Sequence, residues 1–130
     1  MHKPHVFEYA VIRVVPRVER EEFLNAGVIL YCRDKKYLDC LLCDDLARFG
    51  AVFPGIDPDE VSAHLAAIRR ICAGGKPAGA IGELDMPSRF RWVTATRSTI
   101  IQASRVHPGL THDPAETLRK LYAQLVEHGA

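Results

Sequence analysis

Apolar residues crowd the first third of the chain in a pattern of strands. Val6 to Val15 is dense in Val, Ile, Phe and Tyr with uneven alternation, and predicts a strand that Pro16 ends. Glu19-Arg20-Glu21-Glu22 is polar and reads as a turn or a single helical turn. Leu24–Arg33 is a second strand and Tyr37–Cys43 a third. The short polar stretch Asp34-Lys35-Lys36 joins them as a hairpin. Setting Cys32 opposite Tyr37 pairs Leu30 with Asp39, Val28 with Leu41 and Ala26 with Cys43 on one face. Ile29, Tyr31, Leu38, Cys40 and Leu42 then share the other. Both faces are mostly apolar, so this hairpin is expected to be covered on both sides. Helices supply one cover. The second is a further helix, a long loop or another subunit, and a homodimer is one of the open alternatives.

Helical spacing takes over after the third strand. Asp44 or Asp45 can cap a short helix through Leu46, Phe49 and Val52, stopped by Pro54-Gly55. Asp57 is an N-cap with Pro58 at the first helical position and Glu60 at the third; Val61, Leu65, Ile68 and Cys72 form one apolar face, and Gly74 is the stop. Gly74 to Pro87 reads as loop. Trp92–Thr96 and Ser98–Ser104 favour strand by residue type, and Pro108-Gly109 breaks the chain. A last helix starts at Asp113-Pro114-Ala115-Glu116, carries Leu118, Leu121 and Leu125, and ends at Gly129. Strands, then helices, then strands and a helix make an α+β fold: a mainly antiparallel sheet of about four to five strands with two to three packed helices. Residues 1–130 read as a single domain.

Composition narrows the function more than it names one. The chain has 130 residues, 48% hydrophobic and 25% charged, with formal net charge +1. That excludes global disorder and argues against a general nucleic-acid or membrane-surface binder. No apolar run approaches the roughly 18 residues of a membrane span. The start Met1-His2-Lys3-Pro4-His5 leads into strand without an apolar secretory core, so a cytoplasmic setting and reduced cysteines are expected. Cys40 and Cys43 have the Cys-x-x-Cys spacing, but a strand sends them to opposite faces, and no metal is expected there. Gly74-Gly75-Lys76 is followed by Pro77 rather than Ser or Thr, unlike a phosphate loop, and no cofactor motif is evident. His64, His107, His112 and Asp113 are of the type used in acid–base work, but they sit beside an apolar stripe or at a turn, where such residues are commonplace.

Met86 to His107 is the stretch richest in chemistry. It holds Arg89, Arg91, Arg97 and Arg105 without an acidic residue, hydroxyls at Ser88, Thr94, Thr96, Ser98, Thr99 and Ser104, and Phe90 and Trp92 between them. Guanidinium groups with hydroxyls suit capture of phosphate or carboxylate. The bland alternative is an edge strand or loop with solvated arginines. Arg13 is a second oddity, a charge inside an apolar strand. It needs an internal acid such as Glu21, Glu22 or Asp39, which is the preferred reading, or an exogenous anion. One anion site shared by Arg13, Arg97 and Ser98 would account for these features together. That favours a small binding or regulatory module recognising a partner protein or an anionic ligand. The competing reading is an enzyme acting on a phosphate-bearing or nucleotide substrate through Arg13, Arg97 and His107.

The order of several blocks carries a resemblance. Tyr9-Ala10-Val11-Ile12-Arg13-Val14-Val15-Pro16 is followed by Arg20-Glu21-Glu22-Phe23-Leu24-Asn25-Ala26-Gly27-Val28-Ile29-Leu30. Then come Arg91-Trp92 with Thr96-Arg97-Ser98-Thr99, and His107-Pro108-Gly109-Leu110. Together they resemble the bacterial domain-of-unknown-function family 3037 over almost the full chain. The resemblance implies a small bacterial cytosolic protein, and a HipA-like kinase as protein partner. It offers no catalytic residues to carry over. The most distinctive matching positions are Arg13, Asn25, Gly27, Arg97, Ser98 and His107.

Overall fold

The computed structural model describes residues 3–95, 97 and 99–127. Strands β1 (His5–Val14), β2 (Leu24–Cys32) and β3 (Tyr37–Leu42) form an antiparallel meander. Helices α1 (Leu46–Val52), α2 (Pro58–Ala73), the short α3 (Gly79–Gly82) and α4 (Met86–Thr94) come next. The chain then returns to the sheet as β4 (Ile101–Ala103) and β5 (His107–Thr111), and closes with α5 (Pro114–Tyr122) and a π-turn over Ala123–Glu127. The fold is α+β with a five-stranded antiparallel sheet; its five helices among the described residues exceed the two to three expected.

β1 is the centre of the sheet. It pairs with β2 along one edge, while β5 takes its first half and β4 its second half on the other. The β2–β3 register sets Cys32 opposite Tyr37, Leu30 opposite Asp39 and Val28 opposite Leu41, as the hairpin pattern requires. The alternation sends Ile12, Ile29, Tyr31 and Cys40 toward α2 and α4, where Tyr31 meets the Phe90 ring at 5.6 Å. Val28, Leu30 and Cys43 face α5, whose Tyr122 contacts Cys43. Each face is therefore covered by the chain's own helices, and Cys40 and Cys43 leave opposite faces. Gly27 lies hard against β3: a Cβ there would lie 2.6 Å from the Leu41 carbonyl oxygen.

The register shifts between Ile12 and Arg13, so that Ile12 pairs with Gly27 but Arg13 with Asn25. This bulge inserts Ala26 as an extra residue and brings Asn25 to the same face as Arg13. There the Asn25 amide donates to the Leu125 carbonyl at 2.9 Å, tying the end of the chain to β2.

Four helices begin on an aspartate whose carboxylate accepts a first-turn N–H: Asp45 from Arg48, Asp57 from Asp59, Asp85 from Ser88 and Asp113 from Glu116. The helix that Asp85 caps corrects the strand expected over Trp92–Thr96. Trp92–Thr94 is the end of a helix, because Arg89, Phe90 and Val93 make a buried face of helical spacing. Tertiary packing overrides the strand preference of the individual residues. Likewise, much of the expected loop from Gly74 to Pro87 is short helical turns. The Ser98–Ser104 strand contracts to Ile101–Ala103, and Thr96, Ser98 and Gly129 lie outside the described residues.

Candidate functional site

α4 ends at Thr94 with Ala95 as its C-cap, and a turn at Thr99–Gln102 leads into β4. The turn is held by its own bonds: the Thr99 hydroxyl donates to the Ile101 carbonyl at 2.5 Å, and the Gln102 amide donates to the Thr99 carbonyl at 3.1 Å. The Arg97 guanidinium lies over the Trp92 ring, 4.5 Å from its centre. Trp92 remains 43% exposed. Together they rim a cleft of about 160 Å³ between α2, α4 and β4. Its floor is apolar, from Ile12, Ile68, Ile71, Val93 and Ile101; its polar rim is His64, Arg97, Thr99 and Gln102. No carboxylate lines it among the described residues.

Two further depressions adjoin the cleft. His64 and Thr99 also line a shallow depression with Arg17 and Glu60. Arg17 and Glu60 in turn line a hollow of about 480 Å³ with Arg20, Glu22, Phe53, Ile56 and Asp57, where acids outnumber arginines. Stacking a guanidinium on an indole is worth on the order of 0.5–1 kcal/mol at an exposed site. It also fixes the guanidinium plane while leaving the in-plane N–H groups free for a carboxylate or phosphate. Among the described residues the ion pairs, His5–Asp34, Arg20–Glu22, Arg69–Asp44 and Lys120–Glu116, use neither Arg97 nor Arg13.

Arg13 and Asn25 are brought together, but away from Arg97. Ile12 lines the Arg97 cleft, and the pleat turns Arg13, its neighbour, to the α5 face. There the guanidinium lies 4.2 Å from the Phe23 ring centre. Its Nε is buried with no hydrogen-bond partner among the described residues, as is Asn25 Oδ1. Burial pushes the Arg13 pKa below its ordinary value. Among the described residues no ion pair joins Arg13 to Glu21, Glu22 or Asp39: Glu22 pairs with Arg20 at 2.6 Å, and Asp39 accepts from the Cys40 N–H. The aromatic face takes the place of the expected acid. His107 lies on β5, stacked on Tyr9 at 5.2 Å between ring centres. Ser98 lies outside the described residues. A single site does not gather Arg13, Arg97 and His107.

The arginine-rich segment is also divided. Arg89 is buried, donating from Nη1 to the carbonyls of Ile71 and Cys72, both at 2.8 Å, and from Nε to that of Leu84 at 3.1 Å. It closes the C-terminus of α2 rather than meeting a ligand, which the sequence reading missed. Arg91 lies across the sheet corner near Glu8 and Asp34, and Arg105 is exposed. Trp92, His64 and Gln102 were absent from the sequence-derived site. The available signal was Trp92 itself, a large aromatic flanked by arginine and hydroxyl residues. Among the described residues no group of three potential metal ligands converges. A hydrogen bond with Cys40, together with burial, raises the Cys72 thiol pKa.

A family model described as "Protein of unknown function (DUF3037)" matches residues 9–126, most of the chain. Comparison with curated proteins and with solved structures returned no match.

Proposed function

We propose that this chain, which belongs to the DUF3037 family, is a binding module that docks an acidic segment of a partner protein at the Trp92–Arg97 cleft. The observation that carries the reading is an exposed tryptophan bearing a stacked arginine, above an apolar floor and beside His64. Tryptophan and arginine in a desolvated pocket are the residue types that dominate interface energies. The enzyme reading needs Arg13, Arg97 and His107 around one reacting group, and their separation disfavours it. The proposal sets the module in the bacterial cytoplasm, where thiols stay reduced; its four cysteines are free and buried.

Affinity capture from the native host tests it. The parent chain and Arg97→Glu are immobilised side by side. One stoichiometric protein held by the parent and lost by the variant is the expected result. A peptide from its acidic segment should then change the fluorescence of Trp92, the chain's single tryptophan. Arg97→Glu should weaken that peptide at least about tenfold, the scale of losing a charge-assisted contact and gaining repulsion. Equal retention by both columns overturns the reading. A fluorescence response to inorganic phosphate or ATP, with no captured protein, turns it toward a small anionic ligand.

A further inference from the structure

A second surface lies at the opposite corner of the sheet and shares no lining residue with the Trp92–Arg97 cleft. Along β1, the side chains directed toward α2 and α4 are Val6, Glu8, Ala10 and Ile12. The helices cover one end of that row and not the other: Ile12 is 1% exposed, Val6 59%. Leu110 is the register partner of Val6 and is 66% exposed; Pro108 is the partner of Glu8. Val106, just before β5, adds a further exposed apolar side chain. Two large aliphatic side chains thus stand side by side with no helix over them.

The surroundings of this patch decide what fits. The adjoining hollow is lined by Val6, Tyr31 and Pro87 together with two acids, Glu8 and Asp34, and two arginines, Arg33 and Arg91. A patch balanced in this way attracts neither a polyanion nor a polycation. It suits its own image, since a two-fold axis can set Glu8 of one protomer against Arg91 of the other, while Asp34 is already paired with His5 at 3.3 Å. Strand addition at the neighbouring edge is obstructed. Pro108 has no N–H to donate to Glu8, so theirs is a pair without mutual hydrogen bonds, and the proline nitrogen faces the open side of β5. An incoming strand would find no donor at the middle of that edge.

We propose that a second copy of this chain docks face to face on the corner, about a two-fold axis, with Val6 and Leu110 at the centre of the contact and Glu8 and Arg91 of opposite protomers paired around it. The test is sedimentation velocity on the full chain across a dilution series up to about 100 µM, a range that captures micromolar association. The parent is expected to shift from monomer to dimer with concentration. Val6→Asp and Leu110→Asp should stay monomeric throughout, with unchanged circular dichroism since both side chains are exposed. Glu8→Arg and Arg91→Glu should each lose the dimer alone and regain it when the two variants are mixed. A parent that is monomeric across the whole series overturns the proposal. So does a dimer that survives both aspartate substitutions, or one that the mixture fails to restore.

Discussion

Replacing Arg89 with alanine should do more damage than any other single loss of charge. α2 is 16 residues long and ends at Ala73, so its last carbonyls have no partner within the helix. Arg89 supplies donors to two of them, Ile71 and Cys72, and to Leu84 of the next turn. Three hydrogen bonds from a charged donor, at roughly 1.5 kcal/mol each, total about 4–5 kcal/mol. Its positive charge at the negative end of the helix adds about 0.5 kcal/mol. Water entering the vacated space restores part of this, and a net loss of about 3 kcal/mol remains. That corresponds to a melting temperature lower by about 10 °C in a domain of this size. Urea unfolding followed by circular dichroism measures it as a lower midpoint at unchanged slope. Arg89→Lys should recover less than half, since one ammonium cannot reach all three carbonyls. Gly74 gives an internal check. Its φ is +78° and a Cβ there would lie 2.8 Å from Arg89 Nη1. Gly74→Ala should therefore cost about 1 kcal/mol more in the parent than in the Arg89→Ala background, beyond its left-handed backbone penalty. An Arg89→Ala protein within about 0.5 kcal/mol of the parent would refute the reasoning.

Gly27→Ala should lower stability by at least about 2 kcal/mol in the same urea assay, because the new methyl meets backbone at 2.6 Å that cannot rotate away; a neutral substitution would mean that β2 and β3 separate easily there. Hydrogen bonds from the Ser88 hydroxyl and N–H hold the Asp85 carboxyl below the usual carboxylate range. A depressed native pKa gives stability that is present above the unfolded value of about 4 and is lost as the pH falls through the native value. The urea-midpoint gap between parent and Asp85→Ala should accordingly hold from about pH 5 upward and narrow in more acid solution; a gap independent of pH would rule out that carboxylate as the cause.

The legible parts of this fold are those whose partners are close in sequence. The β2–β3 register comes from the four-residue turn 33–36 and the alternation of Leu30, Asp39, Tyr31 and Leu38. The Asp57 and Asp113 caps act on N–H groups within their own first turn. α4 was illegible from residue type, although Asp85 with Pro87 two residues on is a near copy of the Asp57-Pro58 start. Its amphipathic face is short, and its strongest buried contact is an arginine, which a hydrophobicity pattern scores as surface. The carbonyls Arg89 meets lie on α2, 17 and 18 residues away. Arg13 drew attention correctly as a charge inside a strand. Its neighbour is an aromatic ring rather than an acid, and only the bulge at Ile12/Arg13 reveals that Asn25 shares its face. The Trp92–Arg97 cleft needs α2, α4 and β1 in place before its floor exists, so no local pattern announces it.

The central position of β1 has a consequence for how the chain is made. One side of β1 closes early, against β2, from residues only a short loop away. The other side waits for β4 and β5, strands near the far end of the chain. During synthesis, Val6 to Val14 therefore emerges with an unsatisfied row of peptide groups, and keeps it until Thr111 has cleared the ribosome. Contacts of such long sequence separation are slow to form, and an open strand edge is a template for wrong pairing. A product truncated before β5 would carry that edge permanently. Such fragments should aggregate, and refolding yield of the full chain should fall as protein concentration rises.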